Sequence, residues 1–145
     1  MDNRHFTEEF NSRFSEEIID IEEHNQKRIT IKLEPEALLR ATYVLLHEKE
    51  FRFIIASGLH SKQGFEILYH FSYDATGHIV NLRVMLPHQN PAVDSLTKLS
   101  SGAEWIEREI HELLGIHFKG HPNLVPLLSG DNWPEGTYPY RKDFK

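Results

Sequence analysis

The sequence predicts one α+β domain with elements in the order α-β-β-α-β-β-β-α, followed by an irregular tail. Three observations carry this. Apolar and polar residues alternate over residues 28–33, 65–73 and 78–86, the period of half-buried strands. Apolar residues recur at helical spacing before, between and after those strands, so helices and strands come in groups and do not alternate one for one. From Lys119 onward the periodicity stops, yet large apolar side chains continue to the end. The chain therefore divides into a folded part, residues 1–118, and an extended tail, residues 119–145. With 145 residues it is long enough to bury a core without disulfides or metal.

Each element has its own grounds. Phe6, Phe10 and Phe14 stand four apart and predict a short amphipathic helix over about residues 4–15. Ile18, Ile19 and Ile21 precede a polar break at residues 24–27. Ile29, Ile31 and Leu33 then alternate with Arg28, Thr30 and Lys32, which together predict a hairpin. Pro35 suits the first turn of a helix, and Leu38, Leu39, Thr42, Leu45 and Leu46 carry that helix to about Lys49. Residues 51–59, 65–73 and 78–86 form three strands. The short turns at residues 63–64 and 75–77 make them an antiparallel meander.

Residues 87–100 read as a polar connection with a turn near Leu96 and Leu99. Ser101 and Glu104 then have capping-box spacing. Ile106, Ile110, Leu113 and Leu114 make one apolar face, and Gly115 stops the helix. Glu107, Arg108, Glu109 and Glu112 read as its solvated face, with Glu104–Arg108 and Arg108–Glu112 as i,i+4 pairs.

Composition narrows the function. The net charge is −6, and residues 1–25 hold eight acids and two bases, so the rest of the chain is neutral. No basic stripe is available for phosphates, and no nucleic-acid partner is expected. There is no cysteine, which removes thiol catalysis and thiolate-held clusters. No apolar run approaches the roughly 20 residues of a membrane-spanning helix, and no leader peptide precedes the first helix. Ten histidines are present, but His111 is followed by Gly115 where a zincin needs its second histidine. Gly120 and Pro122 keep His117 and His121 off a common helix face. No catalytic, cofactor-binding or metal-ligating residues are expected. A binding or scaffold role fits better than an enzyme.

Three motifs stand in a specific order. They are Glu107-Arg108-Glu109-Ile110-His111-Glu112-Leu113-Leu114-Gly115-Ile116, then Phe118 and Gly120-His121-Pro122-Asn123-Leu124, then Tyr138-Pro139-Tyr140-Arg141-Lys142-Asp143-Phe144. Together they resemble the signature of the thirty-kilodalton, C-type subunit of respiratory complex I (NADH:quinone oxidoreductase). The family includes the matching subunit of energy-converting nickel–iron hydrogenases. Leu114 stands where complex I members usually carry an aromatic residue, Asn123 stands where Asp is common, and residues 130–136 look closer to the hydrogenase relatives.

The resemblance implies a two-layer domain with a mixed sheet of about five strands. It implies a peripheral, cofactor-free subunit on the cytoplasmic face of the membrane. Its partners are expected to be the large hydrogenase-like subunit (D-type) and the iron–sulfur subunits of one ion-pumping complex. The matching subunit of an energy-converting hydrogenase is the alternative, and a free-standing ligand-binding or hydrolytic domain is the more distant one. The expected docking residues are Glu107, Arg108, Glu109, Gly120, His121, Pro122, Trp133, Tyr138, Tyr140, Arg141, Lys142, Asp143 and Phe144. Trp133, Tyr138, Tyr140 and Phe144 are large rings for a solvated tail. Rings of this kind and arginine are the usual anchors of interfaces.

Overall fold

The computed structural model describes residues 3–125, 138, 141 and 142. Helix α1 (Asn3–Arg13) buries Phe6 and Phe10, and Phe14 follows just beyond its end. Their rings pack in series at 5.2 and 4.9 Å, and Phe6 reaches Phe51 at 5.9 Å. Strands β1 (Ile18–Asn25) and β2 (Arg28–Leu33) form the expected antiparallel hairpin. Pro35 opens a short 3-10 turn that runs into α2 (Leu38–Tyr43). A wider turn, Val44–Glu48, closes this segment, with the Lys49 N–H reaching the Val44 carbonyl at 3.0 Å.

Strands β3 (Arg52–Ser61), β4 (Gly64–Tyr73) and β5 (His78–Leu86) form the antiparallel meander. Strand β2 then pairs with β5 in parallel, which makes the sheet mixed, in the order β1-β2-β5-β4-β3. A parallel pair needs a long crossover, and here α2 and the β3–β4 hairpin supply it. Registry puts the core on one face: Phe65, Ile67, Tyr69 and Phe71 of β4 lie opposite Leu86, Val84, Leu82 and Val80 of β5. Ile29, Ile31 and Leu33 extend the same buried set, and the helices complete a two-layer α+β domain. The opposite face carries a polar line across four strands. His24 meets Thr30 at 2.8 Å, Asn81 donates to Thr30 at 3.2 Å, and His70 meets Asn81 at 2.7 Å.

Two expectations are corrected. Strand β6 (Ala92–Asp94) lies within what read as a plain connection, and pairs in parallel with β7 (His117–Lys119). Three-residue strands are too short to produce a period, and ordered pairing continues past residue 118. Helix α3 (Ala103–Leu114) begins after Gly102 with no side-chain cap, so Ser101 is not its cap. The Ala103 and Glu104 N–H groups donate instead to the Ser100 and Ser101 carbonyls, both at 3.2 Å. Those turn bonds satisfy donors that a capping box would otherwise serve.

Candidate docking interface

Helix α3 lies across β3. A Cβ built at Gly58 would come within 2.8 Å of Leu114 and 3.3 Å of Ile110, so the absence of a side chain lets the helix approach the strand. Its inward stripe is Ala103, Glu107, Ile110 and Leu114, with Ile106 half-buried. Glu107 is therefore not on a solvated face; it is 1% exposed. Its carboxylate accepts from Ser95 Oγ at 2.5 Å and from the Leu96 N–H at 2.8 Å, tying the segment after β6 to the helix. Glu112 is buried as well. Burial raises the Glu107 carboxyl above its ordinary value, against the lowering effect of Leu96, Ser95 and His121. Burial, reinforced by the Glu107 charge, also holds the Tyr69 hydroxyl well above its usual range.

The start of α3 meets the Gly-His-Pro turn. Gly120 adopts φ +84°, a left-handed conformation that glycine takes without strain. His121 Nδ1 accepts the Asn123 N–H at 2.9 Å, so its Nε2–H donates to the Glu104 carbonyl at 2.9 Å. Arg108 donates to the Val125 carbonyl at 3.1 Å and lies 5.3 Å over the Trp105 ring. That indole is 62% exposed, and Pro122 and Val125 are exposed beside the same turn.

At the other end, Gly115 takes φ +77° and caps the helix, its N–H bonded to the His111 carbonyl at 2.7 Å. His111 Nδ1–H donates to the Ile116 carbonyl at 2.8 Å. Arg141 Nε donates to the Leu114 carbonyl at 2.6 Å. The Arg141 guanidinium lies 4.5 Å over Tyr138 and 4.9 Å over Phe65. The Lys142 N–H donates to His60 Nδ1 at 2.9 Å, and His60 meets His88 at 3.0 Å. Burial lowers His60 below the usual histidine value, and His88, Arg141 and Lys142 lower it further.

The family model described as "Respiratory-chain NADH dehydrogenase, 30 Kd subunit" matches residues 31–145. The chain belongs to this family. It is 34% identical over 121 residues to the C-type subunit of NADH-quinone oxidoreductase from Roseiflexus castenholzii, covering 79% of this chain and 68% of that one. It is 41% identical over 81 residues to the C-type subunit of F(420)H(2) dehydrogenase from Methanosarcina mazei, covering 55% and 50%. A chain of the membrane-bound sulfane sulfur reductase, an archaeal respiratory membrane complex, shares the fold. There the TM-score is 0.82 at 18% identity, covering 98% of this chain and 85% of that one. Membership places the protein among the peripheral subunits of respiratory complexes. No helix among the described residues is long and apolar enough to cross a membrane.

In this 30 kDa-family domain the described residues of the three motifs meet at α3 and divide between its ends. Arg108, Gly120, His121 and Pro122 gather at the start, and Tyr138, Arg141 and Lys142 at the finish. Glu109 lies between them, lining a 250 Å³ cleft with Ile55 and Leu113. Glu107 faces inward. Trp133, Tyr140, Asp143 and Phe144 lie outside the described residues. The sequence reading missed Trp105, His60 and His88. Trp105 carried a usable signal: it falls off the Ala103-Glu107-Ile110-Leu114 stripe, so a large ring there faces outward.

Proposed function

We propose that the chain is the cofactor-free scaffold subunit of a membrane-bound, ion-pumping oxidoreductase of the NADH:quinone oxidoreductase type. It sits on the cytoplasmic face and docks on the large hydrogenase-like subunit beside the iron–sulfur subunits. The exposure of Trp105 carries the docking reading. An exposed indole under Arg108, at the helix end that His121 ties to the Gly-His-Pro turn, is a rigid apolar anchor of the kind that dominates interface energies. The named relatives serve dehydrogenases with different donors, NADH and F(420)H(2), which fits a subunit whose shared property is its surface.

The test is isolation of the native complex through a tag on this chain, with wild type beside Trp105→Glu. Wild type should bring down the large subunit. Trp105→Glu should keep its melting temperature, because the ring is exposed, and lose most of the co-isolated partner. Undiminished recovery with Trp105→Glu would place the docking surface elsewhere.

A further inference from the structure

His60 and His88 have no part in the docking reading, yet their hydrogen bonds define the state of both rings. His60 is 8% exposed and its ring stacks on Phe65 at 4.3 Å. A backbone amide only donates, so His60 Nδ1, 2.9 Å from the Lys142 nitrogen, is an acceptor and carries no proton. The ring proton is then on Nε2, which donates to His88 Nδ1 at 3.0 Å. His88 keeps its own proton on Nε2 and donates it to the Lys62 carbonyl at 2.8 Å. Each neutral ring thus has one donor and one acceptor, both used.

We propose that the His60–His88 pair is a seat for the chain's own Tyr138, Arg141 and Lys142, which holds them while both rings are neutral and releases them when His60 takes a second proton. The added proton goes to His60 Nδ1, where it faces the Lys142 N–H, and an acceptor becomes a second donor. The charged groups that lower His60 come from two other segments. They are His88 after β5, and Arg141 and Lys142 beyond Tyr138, and all three oppose a positive ring. From β4, Phe65 presents an uncharged ring shared by His60 and Arg141. The sign follows. His60 titrates lower when seated than when released, so the seat is fully formed above the ordinary value of 6.5 and weakens as pH falls below it. This behaviour belongs to the free chain and does not depend on docking.

The experiment is NMR of the isotope-labelled full chain between pH 8 and pH 5, following the His60 ring nitrogens and exchange of the Lys142 amide. At pH 8 His60 should show the Nε2–H tautomer. Lys142 protection should fall as pH drops below about 6.5, by up to about tenfold per pH unit, and level off once seated His60 has titrated, while β4 amides stay protected. In His60→Gln the Lys142 protection should not vary with pH in this range. Lys142 protection that is flat in wild type, or lost only together with β4, would overturn the proposal. So would an unchanged pH dependence in His60→Gln.

Discussion

At each end of α3 a histidine accepts a backbone N–H through Nδ1 and donates through Nε2. At the start, His121 takes the N–H of Asn123, two residues away, and donates to the Glu104 carbonyl. At the finish, His60 takes the N–H of Lys142, 82 residues away, and donates to His88. His121 is half-exposed, and its neighbourhood includes the Glu107 carboxylate. His60 is buried among His88, Arg141 and Lys142. The first closure is local and orders few residues. The second has to order a distant segment, at about 1–2 kcal/mol of backbone entropy per residue fixed. One hydrogen-bond pattern therefore makes a durable corner at one end and a reversible seat at the other.

Both ends hang on the helix, so the largest effect should come from unseating it. Ile110→Asp puts a charge 6% exposed against β3 and should cost several kcal/mol, about 3–5. The denaturant midpoint should fall sharply, with exchange protection lost at both ends together. A near-normal midpoint would mean that α3 does not depend on this face.

Glu107 separates the ends. Glu107→Ala leaves Ser95 and the Leu96 N–H without their acceptor and should cost about 2–3 kcal/mol. The loss should loosen the segment after β6 and leave the Lys142 amide unaffected. Glu107→Gln keeps an acceptor for Leu96 and should recover most of the loss at neutral pH. The pH dependence distinguishes them further. A carboxyl raised by burial adds most to stability below its unfolded value, near 4.5, and that contribution is lost as pH rises through its folded value. Wild type should therefore gain on Glu107→Gln as pH falls toward 4.5. A constant difference across that range would show that burial does not govern this carboxyl.

These residues also mark what was legible from sequence. The strict alternation of β4 and β5 gave away their faces, and Gly115 announced the helix stop. A mixed sheet needed the family resemblance, because no local period reveals that β2 pairs in parallel with β5. Glu107 read as solvated because carboxylates usually are, although its place four residues after Ala103 and three before Ile110 puts it on the buried stripe. Strands β6 and β7 left no period in three residues each. His60 and His88 meet only because β3 and the end of β5 bring residues 28 apart in sequence together. Pairing of that kind is a property of the sheet, and no spacing rule contains it.

The last contrast is between the two glycines that flank the comparison, and the smallest effect is the one at Gly120. Gly115 and Gly120 both have left-handed φ, +77° and +84°. An alanine at either position meets the same backbone strain, about 1–2 kcal/mol. They differ in surroundings. A Cβ at Gly115 would lie 2.6 Å from Arg141 Nη2 and 2.8 Å from Tyr138, whereas at Gly120 nothing stands within 4 Å. Gly115→Ala should therefore add displacement of Arg141 and Tyr138 to the strain, for about 2–3 kcal/mol in all. It should also expose the Arg141–Lys142 bond to trypsin in the folded protein. Gly120→Ala should show only the strain, about 1 kcal/mol, with cleavage at Arg141 no faster than in wild type. Equal trypsin sensitivity in the two variants would mean that Arg141 does not rest on Gly115.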